Sequence, residues 1–102
     1  MTPLLRGHAN RFRALHDTRE GKDDAAEGAF LGAEALFREF GMAFYLAVTQ
    51  LEHAEWLLGQ GRRDDAEPLL DEARQTFHWL EARPWLERTD AATVARQTSV
   101  PV

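Results

Sequence analysis

The hexapeptide LEHAEW at positions 51–56 places one histidine between two carboxylates. Glu52, His53 and Glu55 are side chains that bind metal ions or move protons, so a catalytic or metal site is the first hypothesis. A zinc pair on one helix needs two histidines four residues apart, and no two histidines of the chain have this spacing. A di-iron carboxylate helix needs a glutamate three residues before a histidine, and this spacing is absent too. The remaining histidines are His8, His16 and His78.

Glu52 and Glu55 also form a pair of carboxylates on neighbouring positions of one predicted helix. A paired-carboxylate mechanism needs a pocket and one raised pKa, and the sequence indicates neither. We therefore predict that His53 packs against the next helix, partly buried, and that the chain is not an enzyme and needs no metal or cofactor. The alternative is a small ligand-sensing pocket lined by Tyr45, His53 and Trp56.

The composition restricts the classes of partner. The 102 residues are 44% hydrophobic, which suits one globular domain, and they include no cysteine for disulfides or thiolate ligands. The net charge of -5 makes general binding to nucleic acid or to anionic membranes unexpected. The longest apolar run, GMAFYLAV at 41–48, is far shorter than the roughly 20 residues of a membrane-spanning helix, and the N-terminus lacks a signal-peptide pattern. We predict a cytoplasmic protein.

The strongest pattern is a repeat with a period of 40 residues. GKDDAAEGAFLGAEALFREFG at 21–41 aligns with GRRDDAEPLLDEARQTFHWLE at 61–81. Apolar residues recur at helical spacing in both copies, which predicts two amphipathic helices with one buried stripe each. Such self-similarity is typical of stacked helical repeats, because each unit needs a neighbour to cover its apolar side. The predicted stripes are Ala26, Ala29, Phe30, Ala33, Leu36, Phe37 and Phe40, and Ala66, Leu69, Leu70, Ala73, Thr76, Phe77 and Leu80.

Three further helices are predicted around these copies. The third helix in chain order, over residues 42–60, is apolar around most of its circumference, so we place it at the centre of the fold. The last helix begins near Pro84, because proline suits the first turn of a helix. The first helix covers about residues 4–18, and one of its faces carries Leu5, His8, Phe12 and Leu15.

Two groups of residues outside LEHAEW are candidate contact sites. A stripe of small residues along the second helix allows another helix to approach closely, either the first helix of this chain or a partner subunit. The alternative is that the stripe is only a tolerant surface or a tight internal contact. Trp79 and Trp85 are predicted to pack the last helix onto the fourth, and the alternative is that they are exposed binding side chains. The members of the small-residue stripe are Ala25, Gly28, Gly32 and Ala35.

The order of small and large residues in each hairpin resembles the tetratricopeptide repeat. In that family helix A carries a small residue, and helix B carries an alanine, a large apolar residue and a second alanine. The period of 40 exceeds the usual period of about 34, which implies helices longer by about a turn or an extended linker. The matching positions are Ala54 and Leu57 in helix A and Ala66, Leu70 and Ala73 in helix B, with Ala26, Phe30 and Ala33 in the first copy.

Residues 10–92 are also similar to the C-terminal repeats of large actinobacterial signalling ATPases, including those fused to nucleotide-cyclase or helix-turn-helix domains. The stretch FREFGMAFYLAVTQLEHAEWLLGQGRRDDAEPLLDEARQTFHWLEARPWLER carries this similarity. In such proteins the repeats imply a scaffold or sensor surface, whereas catalysis and DNA binding belong to other domains.

The combined prediction is an all-α superhelix of about five antiparallel helices, built from two tetratricopeptide-like hairpins and a closing helix. Residues 1–95 are predicted as a single helical repeat domain and residues 96–102 as a C-terminal tail. The predicted function is a non-catalytic protein-interaction or scaffold module of a bacterial regulator, because fewer than three full repeats leave apolar end faces. We expect a partner protein, a parent regulator domain or a homodimer to cover them.

Overall fold

The computed structural model describes the backbone of residues 2–98 and the side chains of residues 2–94. Within these residues the chain forms five α-helices and no strand, which confirms the predicted all-α class. α5 continues into the segment predicted as a tail, and residues 99–102 of that segment lie outside the described part of the chain. The helices are α1 (Pro3–Arg19), α2 (Asp23–Glu39), α3 (Ala43–Gly59), α4 (Arg63–Trp79) and α5 (Arg83–Thr98).

The helices follow one another at a constant interval. Each of the first four contains 17 residues, and a short turn separates it from the next helix. One helix and its turn occupy half of the 40-residue period, so the sequence repeat corresponds to one helical hairpin. The excess over the tetratricopeptide period therefore lies in longer helices, and no extended linker occurs between residues 2 and 98.

Each turn contains one residue with a left-handed backbone conformation. Gly21, Gly41 and Gly61 have φ angles of 70°, 68° and 74°, and Glu81 occupies the equivalent position with a φ of 55°. Glycine adopts this conformation without the steric cost that a Cβ imposes. The amide of the next residue donates a hydrogen bond of 2.8–2.9 Å to the carbonyl five residues earlier in all four turns. This pattern is the Schellman motif, which ends each helix and starts the return.

The chain divides into two compact units, and the first comprises the residues up to Thr49. In this unit α1 packs against α2, and the rings of Phe30 and Phe37 are fully buried. Gly7 faces the Phe37 ring, because a Cβ added at Gly7 would lie 2.7 Å from Phe37 Cζ. No real side-chain carbon fits at that distance, so a residue without a side chain sets how closely α1 approaches α2.

The second compact unit begins at Gln50 and contains the C-terminal half of α3 with α4 and α5. α4 packs against α3 and against α5. Trp85 of α5 stacks on Phe77 of α4, with ring centroids 5.7 Å apart and planes 18° apart. The large buried side chains of this unit are Leu51, Leu57, Leu70 and Phe77.

The two predicted apolar stripes are confirmed at their centres. Each stripe ends earlier than predicted, because Phe40 and Leu80 follow the last helical residue and are 48% and 39% exposed. In α3 every residue from 46 to 54 is buried, which agrees with the predicted apolar circumference of that helix. The buried positions match across the period of the repeat: Ala26, Phe30, Ala33 and Phe37, then Ala66, Leu70, Ala73 and Phe77.

The face of α1 that carries Leu5, His8, Phe12 and Leu15 is only partly covered. Leu5 is 57% exposed and Phe12 is 60% exposed, whereas His8 and Leu15 are half-buried. The close approach to α2 explains the difference, because the contact between the two helices leaves room only for small side chains. The residues of α1 that are buried are Gly7, Ala14 and Asp17.

Candidate functional site

The histidine of LEHAEW lies in the second unit and is more deeply buried than predicted. His53 is 4% exposed and Glu52 is 8% exposed, both on α3. The His53 ring lies 6.1 Å from the ring of Trp56, with the two planes tilted by 31°. His53 is therefore buried, and the prediction that it packs against the next helix stays a prediction. The predicted ligand-sensing pocket around it stays a prediction.

Glu55 makes a two-point contact with Arg88 of α5. Arg88 Nε donates to Glu55 Oε2 at 2.9 Å, and Arg88 Nη2 donates to Glu55 Oε1 at 2.5 Å. The hydrogen bonds to Glu55 raise the pKa of Arg88 above its usual value. The negative charges of Glu55 and Glu52 also raise this pKa, whereas partial burial of the guanidinium lowers it. The guanidinium also lies over the Trp85 ring at 5.6 Å. The ion pair therefore joins α3 to α5, and the contact with Trp85 holds the guanidinium against its own helix.

No local feature of the sequence predicts the contact between Arg88 and Glu55. Glu55 and Arg88 are 33 residues apart and lie on different helices. Their separation is unrelated to the repeat period, so neither helical spacing nor self-alignment pairs them. The approach of α5 to α3 brings the two charges together.

Neither a metal-binding cluster nor a membrane-spanning helix occurs among the residues that the structure describes. In that part of the chain, no group of three or more His, Cys, Asp or Glu side chains is arranged to hold a metal ion. None of the described helices combines the length and the apolar character needed to cross a bilayer.

Tyr45 lies in the first unit, at the start of α3, within a cluster of aromatic rings. Its centroid is 4.5 Å from that of His8 in an edge-to-face arrangement and 5.7 Å from that of Phe37. Edge-to-face contacts of this kind stabilise beyond the burial of apolar area. His8 is half-buried beside these rings, and the sequence did not predict its aromatic neighbours. Tyr45 and His53 are thus described in separate units.

The small-residue stripe of α2 has mixed surroundings. A Cβ added at Gly32 would lie 3.3 Å from Asn10 Nδ2 of α1, whereas one added at Gly28 would meet nothing within 4 Å. Ala25 and Ala35 are exposed. The first helix of the chain therefore approaches the stripe at Gly32, and the rest of the stripe faces solvent.

The two tryptophans of the C-terminal part have opposite environments. Trp85 packs α5 onto α4 through Phe77, as predicted. Trp79 is 78% exposed, so the prediction that it packs the last helix is wrong, and the alternative that it is a binding side chain stays a prediction. Trp79 is the last residue of α4, and its position at the helix end leaves it beyond the contact with α5.

The second unit has several shallow surface clefts, and two of them lie beside the C-terminal half of α4. One of about 350 Å³ is lined by Asp71, Arg74, Gln75 and His78. The other, of about 400 Å³, is lined by His78, Glu81, Arg83 and Leu86. Arg74 of the first cleft is engaged by Asp90 of α5, with 2.9 Å between Nε and Oδ1. Both clefts are lined by charged as well as apolar groups and open to solvent, which differs from the enclosed apolar site typical of small-molecule binding.

The two most exposed large apolar residues of the first unit, Leu5 and Phe12, lie on one side of α1. Leu5, Ala9, Phe12 and His16 are exposed and follow one another at intervals of four, three and four residues. This spacing places all four side chains on a single face of the helix. We call these four residues the α1 outer face. Arg6 and Arg13 are exposed beside it.

Comparisons with protein-family models, with curated proteins and with solved structures found no match to this chain. The resemblance to tetratricopeptide repeats therefore rests on the residue pattern, and the structure independently gives five helices and helical hairpins in its described part.

Proposed function

We propose that this chain is a non-catalytic protein-interaction module and that the α1 outer face is one of its binding surfaces. One observation carries this function: Leu5 and Phe12 are 57% and 60% exposed on the same side of one helix. Removing such side chains from water stabilises a complex by about 25 cal/mol per Å² of apolar surface. A large aromatic side chain that a partner can bury is typical of the residues that dominate binding free energy.

The chemistry of the LEHAEW cluster supports an interaction module over an enzyme. Both oxygens of Glu55 accept hydrogen bonds from the Arg88 guanidinium, so the carboxylate is engaged within its own chain by this ion pair. The same ion pair positions α5 against α3, which is a structural role.

The wider setting follows the sequence resemblance. The partner is a protein or a parent domain of a bacterial signalling or transcriptional regulator, and the module acts in the cytoplasm. Self-association is a second candidate, because Leu31 is 54% exposed on α2 between the exposed residues Gly28 and Ala35. An apolar residue between small ones gives a second helix room to approach.

The double substitution Leu5→Glu and Phe12→Glu tests the proposed surface. The tagged chain and the variant are each exposed to a lysate of the source cells, and retained proteins are identified by mass spectrometry. We expect the variant to lose at least one protein that the natural chain retains, and the purified pair to bind at least about tenfold more weakly in calorimetry. Light scattering in parallel shows whether that partner is a second copy.

The matched control is Gln60→Glu with Ala91→Glu, two exposed positions away from the α1 outer face. This control makes the chain more acidic by the same amount, so a loss shared by both variants reports net charge alone. Identical sets of retained proteins for the natural chain and the Leu5/Phe12 variant, with unchanged mass in solution, would show that the face binds nothing.

A further inference from the structure

The charge of α1 differs in sign from the charge of the chain. The helix contains four arginines and one aspartate among its 17 residues, a net charge of +3, within a chain whose net charge is -5. The elements after α1 are therefore acidic on balance, and α2 begins with Asp23 and Asp24. A basic helix in an acidic chain concentrates positive potential on one part of the surface.

The basic side chains border the apolar residues of the α1 outer face. At about 100° per residue, Arg6 and Arg13 project from the same edge of the face, one beside Leu5 and the other beside Phe12. Both arginines are exposed, and neither is paired with a carboxylate of the described residues. The face therefore combines an apolar stripe with unneutralised guanidinium groups along one edge.

The dimensions of this face fit one helix of a partner. Leu5 and Phe12 are two turns apart, which corresponds to about 10 Å along the axis and to the contact length of a single helix crossing. A partner helix with apolar residues at spacings of three and four fills the stripe. Carboxylates beside those residues meet the guanidinium groups, which prefer planar two-point hydrogen bonding to carboxylates.

Two other occupants fit the charges less well. A second copy bound through the same face in a symmetric pair would bring two helices of net charge +3 together. An anionic bilayer would attract α1 but repel the remaining acidic elements of a chain of net charge -5. A narrow stripe of two large side chains also gives little apolar area for insertion between lipids.

We infer that the α1 outer face, with Arg6 and Arg13 along its edge, binds an acidic amphipathic helix of a partner protein. This inference rests on the proposed interaction function and adds the chemistry of the partner. The apolar stripe supplies affinity, and the two arginines supply orientation and selection against basic helices.

Two synthetic helical peptides of about 18 residues test the charge selection. They share the same leucines at helical spacing, and one carries glutamates where the other carries lysines. Each is titrated into the full chain by calorimetry. We expect the glutamate peptide to bind at least about tenfold more tightly than the lysine peptide, and to weaken between about 50 mM and about 500 mM salt.

The double charge reversal Arg6→Glu and Arg13→Glu is expected to invert the preference, so that the lysine peptide binds more tightly. Both positions are exposed, and circular dichroism checks that the variant keeps its helices. The matched control is Lys22→Glu with Arg83→Glu, which reverses two exposed cations outside the α1 outer face and retains the preference for the glutamate peptide.

Four results would overturn the inference. If the two peptides bind equally, the face does not select its partner by charge. If both charge-reversal variants change peptide binding equally, the selection comes from the net charge of the chain. If the chain binds phosphatidylserine vesicles but neither peptide, the α1 outer face is a lipid-binding surface. If the chain forms a dimer that the Arg6→Glu and Arg13→Glu variant abolishes, the face binds a second copy. The proposed function fails by a different result, which is a Leu5→Glu and Phe12→Glu variant that loses no partner and leaves the mass unchanged.

Discussion

The α1–α2 hairpin and the α4–α5 hairpin hold their helices together in different ways. In the first, Gly7 lies against the Phe37 ring so closely that an added Cβ would be 2.7 Å from Cζ. In the second, Trp85 stacks on Phe77, and Arg74 and Asp90 form an ion pair across the two helices at 2.9 Å. Close packing tolerates no added volume, whereas an exposed ion pair adjusts to small changes. The first hairpin is therefore specified by size and the second by stacking and charge.

The difference predicts opposite effects for one substitution at two glycines. Gly7→Ala forces the α1 backbone away from Phe37 and lowers the free energy of unfolding by about 2 kcal/mol. Gly28→Ala adds a methyl group that meets nothing within 4 Å and favours helix, so it raises that free energy by about 0.5–1 kcal/mol. Urea denaturation followed by circular dichroism measures both values.

Phe37→Leu sharpens this test, because a smaller side chain facing Gly7 makes room for the new methyl group. In a double-mutant cycle the two substitutions together are expected to cost less than the sum of their separate effects. If Gly7→Ala and Gly28→Ala shift the urea midpoint equally, the close approach of α1 to α2 does not limit stability.

The turns provide a second contrast, since three have glycine at the left-handed position and the turn before α5 has Glu81. Gly61→Ala is expected to lower the free energy of unfolding by about 1 kcal/mol, because φ is 74° there. Glu81→Gly relieves the same strain at a φ of 55°. Because glycine also gives the unfolded chain more conformational freedom, which offsets part of this gain, the free energy of unfolding is expected to rise by about 0.5 kcal/mol. Thermal unfolding of the two variants is compared with that of the natural chain. A lower melting temperature for Glu81→Gly would contradict the strain at this turn.

The ion pair of the second unit gives the smallest expected effect. Arg88 and Glu55 are 43% and 35% exposed at their side chains, so solvent screens much of their attraction. In a cycle of Arg88→Met, Glu55→Gln and the double variant, the coupling free energy is expected to be about 0.5 kcal/mol and to fall further at about 1 M salt. Coupling that is unaffected by salt would place the pair in a far more shielded environment. Denaturation at the two salt concentrations distinguishes these cases.

Much of the fold was predictable from local spacing. The 40-residue repeat and its apolar stripes correctly predicted the helices that contain the buried pairs Phe30 and Leu70, and Phe37 and Phe77. The spacing of Gly21, Gly41 and Gly61 also indicates the length of one helix with its turn. The 40-residue repeat alone indicates only the length of a helical hairpin. These features are local because one helical turn fixes which side chains are neighbours.

The candidate surfaces were much less predictable. Trp79 was expected to pack against the last helix, and the helical spacing that places Leu5 and Phe12 on one face of α1 does not indicate whether another helix covers that face. The structure exposes all three. Which side of a helix is covered depends on the helix that packs against it, and the amphipathic pattern of one helix does not contain that information.

The sequence by itself therefore determined the helices, their period and the left-handed turns, because steric limits on the backbone act over a few residues. Only the tertiary structure decided that Gly7 meets Phe37, that Arg88 holds Glu55 across 33 residues, and that the α1 outer face is left to solvent. Contacts between distant residues depend on the full packing arrangement, in which the volume of one side chain limits the position of another helix.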